Sequence, residues 1–347
     1  MYIKKILLTI ALLGIVAVGI FSYVIYNTIF SPNTQFESDE ASVYVASDTN
    51  YKELLKQIQP LVKDINDFDQ VAKRKGYAAN LKSGRFILKQ GMNNNEIINT
   101  LRSKNEPVSV IFNNQERIED LAGRVAQQIE ADSISLLNSM KDEVFLKKNG
   151  FNLENALSMY IPNQYELYWN TSAEAFRERM LKEYHRFWTE SRLQQAKKSN
   201  LTPQEVSVVA SIVQKETAKV DERKRVAGVY MNRYLNGWKL DADPTVIYAI
   251  KKESKDFDTV IKRVLYKDLE IESPYNTYKY KELPPGPIAM PDISSINAVL
   301  NFEKHDYYYF VANPENPGYH MFAKTLRQHN NNRQAYVRWI NKMGINR

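Results

Sequence analysis

The chain has 347 residues, of which 44% are hydrophobic and 25% are charged, a balance typical of a globular protein large enough for two domains. The absence of cysteine excludes disulfides, thiolate metal sites and cysteine nucleophiles. A net charge of +7 favours an anionic surface or polymer as a partner. The basic residues are scattered and no nucleic-acid motif occurs, so we predict no nucleic-acid partner.

The first predicted element is a membrane-spanning helix over residues 6–26. These 21 residues, ILLTIALLGIVAVGIFSYVIY, carry no charge, and as a helix they span about 31 Å, the hydrocarbon thickness of a bilayer. A cleaved signal peptide is the competing interpretation, but its apolar run is shorter and a small-residue cleavage site follows it. Lys4 and Lys5 precede the run and acidic residues follow it, which places residues 1–5 in the cytoplasm. We predict a single-pass protein of the cytoplasmic (inner) membrane, with most of the chain on the periplasmic or extracytoplasmic side.

Residues 27–42 are polar and are predicted to be a tether. After it, residues 43–112 alternate between strand and helix patterns and indicate a small α+β unit. Strand patterns occur at 42–45, 84–89 and 108–113, helical spacing runs from Tyr51 to Ile65, and Asn93 with Glu96 predicts the start of a second helix.

The larger remainder, 113–347, contains a helix with an unusual acidic residue. The sequence Thr202-Pro203-Gln204-Glu205 is typical of a helix start, and the apolar residues Val206, Val209, Ala210 and Val213 follow helical spacing. Glu216 falls on the same face, where desolvation would make it a general acid. A structural ion pair with Lys215, Lys219 or Arg223, or exposure to water at the helix end, is the alternative.

Other chemistries lack their motifs. There is no Walker loop, dinucleotide fingerprint or G-x-S-x-G elbow, and the four histidines lack the spacing of a zinc peptidase, so we predict no cofactor and no metal. The C-terminal half is instead rich in tyrosine, asparagine and histidine, which bind sugar rings and hydroxyls. The segment SPYNTY (273–278), between proline-containing segments, is typical of a constrained loop that shapes a cleft.

Together these segments resemble the YceG-like family of endolytic murein transglycosylases. The resemblance rests on ASIVQKET, RVAGVYMNR, DADPTVIYAI, SPYNTY, LPPGPIAMP and GYHMFAKTLRQHN, which occur in this order between residues 208 and 330. It implies an α+β protein with a single N-terminal transmembrane helix, a small LysM-like α+β module at 43–112 and a larger α+β catalytic domain at 113–347.

The resemblance also implies which residues act. Glu216 corresponds to the catalytic glutamate of the family, and the substrate-binding residues correspond to Asn276, Thr277, Tyr278, Tyr248, His320 and His329. Gln214 stands where many relatives have a second glutamate, which implies an outer, solvated and dispensable position. Further departures are Tyr319 for glycine, Gln328 for glutamate, Met290 for asparagine and a variant segment at 159–169.

The implied activity is lytic cleavage of the bond between N-acetylmuramic acid and N-acetylglucosamine within peptidoglycan strands, giving 1,6-anhydro ends and limiting the length of nascent strands. Its implied partners are glycan strands, the membrane through one helix, and peptidoglycan synthases. A lysozyme-type hydrolase normally needs a second carboxylate, and Asp241, Asp243 and Glu222 are only neighbours in sequence, which favours a single-acid scheme. The alternatives are such a hydrolase with Asp243 as partner, or a non-catalytic glycan-binding protein.

Overall fold

The computed structural model describes residues 2–343 and confirms the α+β class. Three short 3-10 helices lie at Gln59–Leu61, Ala156–Met159 and Tyr266–Glu270. The strands pair in twos, β1 with β2, β3 with β4 and β5 with β6. The strands are β1 (Glu40–Val45), β2 (Gly84–Lys89), β3 (Pro107–Phe112), β4 (Asn163–Tyr168), β5 (Tyr309–Ala312) and β6 (His320–Ala323). The helices are α1 (Tyr2–Phe30), α2 (Tyr51–Ile58), α3 (Ile65–Arg74), α4 (Asn94–Ser103), α5 (Ile118–Ala126), α6 (Ser133–Met140), α7 (Glu143–Lys148), α8 (Ala173–Phe187), α9 (Glu190–Lys198), α10 (Pro203–Glu216), α11 (Arg223–Leu235), α12 (Asp243–Ser254), α13 (Ile293–Leu300) and α14 (Leu326–Lys342).

Helix α1 contains the whole predicted membrane segment and extends beyond it at both ends. Its 29 residues include an 18-residue window of mean hydropathy 2.5, and its apolar side chains are exposed along most of its length. A helix with these properties is long and apolar enough to cross a bilayer. Between residues 2 and 343 it is the one helix that meets this test.

The chain divides into two compact units. The N-terminal unit runs to Val110 and includes 128–131 and 165–172, and the C-terminal unit contains the other described residues. In the N-terminal unit, β1 and β2 pair antiparallel from Glu40 opposite Lys89 to Val45 opposite Gly84. Their alternate side chains, including Val43 and Phe86, join residues of α2, α3 and α4 in one core.

The predicted helix from Tyr51 to Ile65 is wrong in its extent. Helix α2 ends at Ile58, and a short 3-10 turn containing Pro60 separates it from α3. Proline lacks the N–H that an α-helix interior requires, so the helical spacing of apolar residues continues while the helix does not. The start signal of α4 is confirmed, since Asn93 and Glu96 form a reciprocal capping box.

The segment predicted as a tether is ordered and packs on the N-terminal unit. Asn33 is buried, and its side chain donates to the Asp64 carbonyl at 2.8 Å and to Asn94 Oδ1 at 2.7 Å. The Asp64 N–H donates back to Asn33 Oδ1 at 2.9 Å, and the backbone N–H groups of Asn33 and Thr34 donate to the Met92 carbonyl. The polar residues of this segment therefore form hydrogen bonds within the fold and do not make it a flexible linker.

These contacts predict where the membrane helix can be removed. A soluble form beginning at Asn27 retains Asn33, whereas a form beginning at Ser42 loses the hydrogen bonds of Asn33, each worth about 0.5–1.5 kcal/mol. We expect the Ser42 form to unfold several degrees below the Asn27 form in thermal unfolding followed by circular dichroism. Equal transition temperatures would show that the 27–41 segment contributes nothing to the fold.

The C-terminal unit is organised around α10. Every residue from Val206 to Val213 is buried, because α9, α11, α12 and α13 all contact this helix. Ser207 and Ser211 satisfy their hydroxyls on the carbonyls of Pro203 and Val208, which lets both lie in the core. The predicted single apolar face is therefore too narrow, since α10 is buried on all sides from Val206 to Val213 and only its two ends reach the surface.

A small hairpin completes this unit. Strands β5 and β6 pair antiparallel, with Tyr309 opposite Ala323 and Ala312 opposite His320, and α14 contacts both. Arg233 near the end of α11 donates to the Tyr308 carbonyl at 2.7 Å, and Tyr230 of the same helix packs edge-on against Phe310 at 5.9 Å. The hairpin is thereby held against α11, beside the end of α10.

Candidate active site

Glu216 is the last residue of α10 and marks the point where that helix leaves the core. The predicted helix start is confirmed, since Thr202 and Glu205 form a capping box and Pro203 occupies the first turn. At the other end, Thr217 adopts an extended conformation, so the chain turns away after Glu216. A carboxyl group placed here is partly buried by its own helix and still open to a ligand.

A pocket of about 350 Å³ lies over this carboxyl group, and all of its lining residues belong to the C-terminal unit. They combine three carboxyl groups with one guanidinium, three tyrosines, a histidine and three apolar side chains. These residues are Glu216, Tyr230, Arg233, Leu240, Asp241, Asp243, Tyr278, Tyr309, Phe310, Leu326 and His329. Such a mixture of ring faces and hydrogen-bonding groups suits a polar ligand with an apolar face, such as a sugar.

Glu216 has one direct side-chain partner in this pocket, the hydroxyl of buried Tyr230, which donates to Glu216 Oε1 at 2.6 Å. Burial raises the pKa of Glu216 to about 7. The Tyr230 hydrogen bond and the charges of His320 and Arg233 oppose this rise, whereas the charge of Asp243 adds to it. A carboxyl group with this pKa can both donate and accept a proton near neutral pH.

The alternative that Glu216 is half of a structural ion pair does not fit the geometry. Lys215 pairs with Glu116 at 3.7 Å, and Arg223 pairs with Asp292 at 2.6 Å. Lys219 lies over the ring of Tyr319, 5.0 Å from its centroid. The three cations near Glu216 in sequence are therefore engaged elsewhere.

Asp241 and Asp243, which the sequence shows only as neighbours along the chain, both lie in the pocket with Glu216. Asp241 pairs with Arg233 at 2.9 Å, and burial raises its pKa. Asp243 begins α12 and accepts a hydrogen bond from the hydroxyl of Tyr278 at 2.6 Å. The sequence feature that could have identified both aspartates as site residues is their position just before Pro244 at a helix start, because such positions lie at the surface of a fold.

Asn276 and Thr277 are not among the residues that line the pocket. Both are buried, and the Asn276 amide donates to the carbonyls of Leu269 and Ile271 at 2.8 and 3.0 Å while its oxygen accepts from the Tyr278 N–H. Thr277 holds the neighbouring loop, because its hydroxyl accepts from the Ala242 N–H and its carbonyl accepts from the Asp241 N–H. Their polar groups are thus used to position Tyr278 and the two aspartates.

Tyr278 and His329 are the predicted binding residues that line the same pocket as Glu216. His329 stacks on Tyr309 with ring centroids 5.3 Å apart, and its Nδ1 is buried without a hydrogen-bond partner among the residues described. Burial, with the charges of Arg233 and Arg333, lowers the pKa of His329. The imidazole is therefore neutral at neutral pH and can offer a ring face.

His320 and Tyr248 lie elsewhere. His320 Nδ1 is 2.7 Å from Oε2 of the buried Glu222, and its ring packs edge-on against Phe310 at 5.0 Å, behind the pocket wall. Tyr248 lines a second pocket of about 360 Å³ together with Glu154, Lys252 and Phe257. Direct binding of the Glu216 pocket's ligand by these two side chains is not supported by their positions.

Comparison with known proteins shows the family of this chain. Residues 43–335 match the profile of the YceG-like family, which covers most of the chain. The chain belongs to the YceG-like family. An endolytic murein transglycosylase of Bacillus subtilis (strain 168) is 31% identical to it over 294 residues, covering 80% of this chain and 79% of that protein.

Two further relatives extend the comparison. An endolytic murein transglycosylase of Streptococcus pneumoniae serotype 2 (strain D39 / NCTC 7466) is 28% identical over 311 residues, covering 80% of this chain and 54% of that protein. The crystal structure of a YceG-like protein from Listeria monocytogenes matches with a TM-score of 0.57 at 26% identity, covering 84% of this chain and 98% of that one. The fold is thus shared with a solved member of the family over nearly all of that member's length.

Gln214 of this YceG-like chain is not the solvated position that the sequence analysis expected. Its amide donates to the Met290 carbonyl at 3.3 Å, and its oxygen accepts from the Asp292 N–H at 2.6 Å. Gln214 therefore joins α10 to the start of α13, and alanine at this position removes structure as well as polarity. Lys215, whose side chain is 39% exposed, remains a suitable control for Glu216.

The unusual residues of this YceG-like chain lie outside the lining of the Glu216 pocket. Met290 is fully buried, and its backbone accepts from Gln214. Tyr319 donates to Asp221 at 3.0 Å, and Gln328 accepts from the Lys324 N–H at 3.2 Å. These departures thus leave the pocket around Glu216 intact.

Proposed function

We propose that this chain is a membrane-anchored endolytic peptidoglycan lytic transglycosylase, which cleaves the bond between N-acetylmuramic acid and N-acetylglucosamine within glycan strands. The observation that carries the proposal is Glu216, a partly buried carboxyl group with a pKa of about 7 that lines a pocket together with three tyrosines. Membership of the YceG-like family and the names of the curated relatives support the same activity.

Glu216 serves first as acid and then as base. Its proton passes to the glycosidic oxygen as the bond from that oxygen to C1 of the muramic sugar breaks, which releases the 4-hydroxyl of N-acetylglucosamine. The C6 hydroxyl of the same muramic sugar then attacks C1, and its proton returns to Glu216. One bond is broken and one formed, no water is consumed, and the new end is a 1,6-anhydro sugar.

The rest of the proposal concerns location and partners. Helix α1 is assigned as a single-pass anchor, with Lys4 and Lys5 on the cytoplasmic side and the chain that follows the helix outside. Residues 43–112 are assigned as a LysM-like module, and 113–347 as the catalytic domain. Peptidoglycan synthases are the proposed neighbours, since an enzyme that cuts nascent strands must act where the strands are made.

Digestion of purified glycan strands tests this function. We expect the protein to convert long strands into shorter fragments by internal cuts, and mass analysis to find 1,6-anhydro-muramic ends on the products. Release of only terminal disaccharides would contradict the endolytic part. Absence of any new fragment would leave a glycan-binding protein as the remaining explanation.

A hydrolase of the lysozyme type is the second candidate, and one observation favours it. Asp243 lies in the same pocket as Glu216, and hydrolases use a second carboxylate either as a nucleophile or to activate water. Reducing muramic ends in the digest would select this mechanism, because they require water to enter the product.

A further inference from the structure

The carboxyl groups beside Glu216 differ in how their charge is balanced. Asp241 forms an ion pair with Arg233, whose other hydrogen bonds go to backbone carbonyls, so this pair has little net charge. Asp243 forms no ion pair among the residues described, and its one hydrogen bond comes from the neutral Tyr278 hydroxyl. Its carboxylate is therefore the uncompensated negative group of the pocket.

The position of Asp243 is fixed by a supporting network. The Ala242 N–H donates to Thr277 Oγ1 at 3.0 Å, and that hydroxyl shares a 2.8 Å hydrogen bond with Thr245 Oγ1. Asn276, fully buried, holds the segment that carries Tyr278. Each of these buried groups acts on the residues flanking Asp243 or on its partner, while the Asp243 side chain itself is exposed to the pocket.

The ordinary role of an aspartate at a helix start is to cap backbone N–H groups. Asp243 does not do this, because neither of its carboxyl oxygens accepts from an N–H of α12 within residues 2–343. Instead, the Tyr278 hydroxyl donates to Asp243 Oδ1, and Asp243 Oδ2 has no protein partner in the part of the chain described. A rigidly placed carboxylate with a free oxygen is suited to act on a ligand.

We propose that Asp243 is a second catalytic residue, whose free carboxylate oxygen faces the reacting sugar and stabilises positive charge on it, and that Tyr278 is the positioning residue that aims it. This inference rests on the proposed function. Breaking a glycosidic bond develops oxocarbenium-like positive charge on C1 and the ring oxygen, and a negative group held beside the reacting sugar lowers the energy of that state. Asp243 neither gains nor loses a proton and forms no bond to carbon, so the lytic sequence of proton transfers through Glu216 is unchanged.

The test compares Asp243→Asn, Tyr278→Phe and the exposed control Asp256→Asn in the full-length protein, with glycan strands as substrate. For Asp243→Asn we expect kcat to fall about 100-fold, in the range of lost electrostatic stabilisation, and KM to change less than about threefold. The pH–rate limb of Glu216 should also move to lower pH, because Asp243 raises the pKa of Glu216 while Tyr230, Arg233 and His320 lower it, and the substitution removes the negative charge among these four groups. Tyr278→Phe should lower kcat by roughly tenfold with the fold intact.

The outcomes are separable. An active wild type together with an Asp243→Asn variant whose kcat is within about threefold of it overturns this inference and leaves the proposed function standing. A loss expressed only in KM, or a Glu216 limb that does not move, makes Asp243 a binding or structural residue and also overturns it. If Asp243→Asn does not fold, the fall in kcat of Tyr278→Phe decides, and no fall rejects the inference. Absence of cleavage by the wild type removes the proposed function and this inference together.

Discussion

Glu216→Gln is expected to lower glycan cleavage by at least about 100-fold while the protein stays folded, because glutamine keeps the size of the side chain but carries no transferable proton. The Tyr230 hydroxyl retains an oxygen to donate to, so the geometry around position 216 is preserved. Release of soluble fragments from purified strands measures the loss. Lys215→Ala, one residue away on the exposed side of α10, is the matched control and should keep most of the activity.

The same substitution is expected to increase stability above neutral pH. A carboxyl group whose pKa is raised on folding binds more protons in the native state between the unfolded value of 4.5 and about 7, so its contribution destabilises the fold as pH rises through this window. Glu216→Gln removes that penalty, which is on the order of 3 kcal/mol. Thermal unfolding should show no difference from wild type below pH 4.5 and the full gain above pH 7.

Two results would contradict the assignment of Glu216. Cleavage near the wild-type rate in Glu216→Gln would remove its catalytic role. A stability gain that is equal at acidic and alkaline pH would mean that the carboxyl group is not held protonated by its surroundings.

Tyr230→Phe is expected to move the alkaline limb of the pH–rate profile upward by roughly one unit and to lower the maximal rate about tenfold. The Tyr230 hydroxyl donates to Glu216 Oε1 and lowers the pKa of that group, so its removal favours the protonated form and releases the carboxyl group from its fixed orientation. Full pH–rate profiles of wild type and variant provide the measurement.

Tyr234→Phe is the matched control, since Tyr234 lies one turn further along α11 and is not among the residues that line the Glu216 pocket. Its profile should superimpose on that of the wild type. A Tyr230→Phe limb that stays in place, or moves downward, would show that this hydrogen bond does not stabilise the ionised form of Glu216.

The sequence predicts correctly those parts of the structure that depend on residues close together along the chain. The Thr202–Glu205 capping box needs only four consecutive residues, and Glu216 follows from counting along the helix that this box begins. The break at Pro60 is a local signal that the prediction missed. Apolar residues keep helical spacing on both sides of this proline although the helix ends before it.

The remainder of the site depends on contacts between distant residues. Asp243 meets Tyr278, 35 positions away, and Ala242 meets Thr277 at the same separation. No periodicity relates such positions, so the sequence identifies the aspartates only as neighbours of Glu216 along the chain, and the family resemblance implies substrate contacts for Asn276, Thr277 and Tyr278. In the structure, Asn276 and Thr277 are buried and support the loop, while Asp243 lines the pocket.

Cleavage in water enriched with heavy oxygen tests the central claim most directly, since the single-acid lytic scheme uses the sugar's own C6 hydroxyl and admits no water to the product. Glycan strands digested by the wild-type protein should give 1,6-anhydro-muramic ends with no label, as read by mass spectrometry, and the Glu216→Gln variant should give no such ends. Muramic ends that carry one heavy oxygen at C1 would contradict the lytic scheme and assign the pocket of Glu216 and Asp243 to a hydrolase.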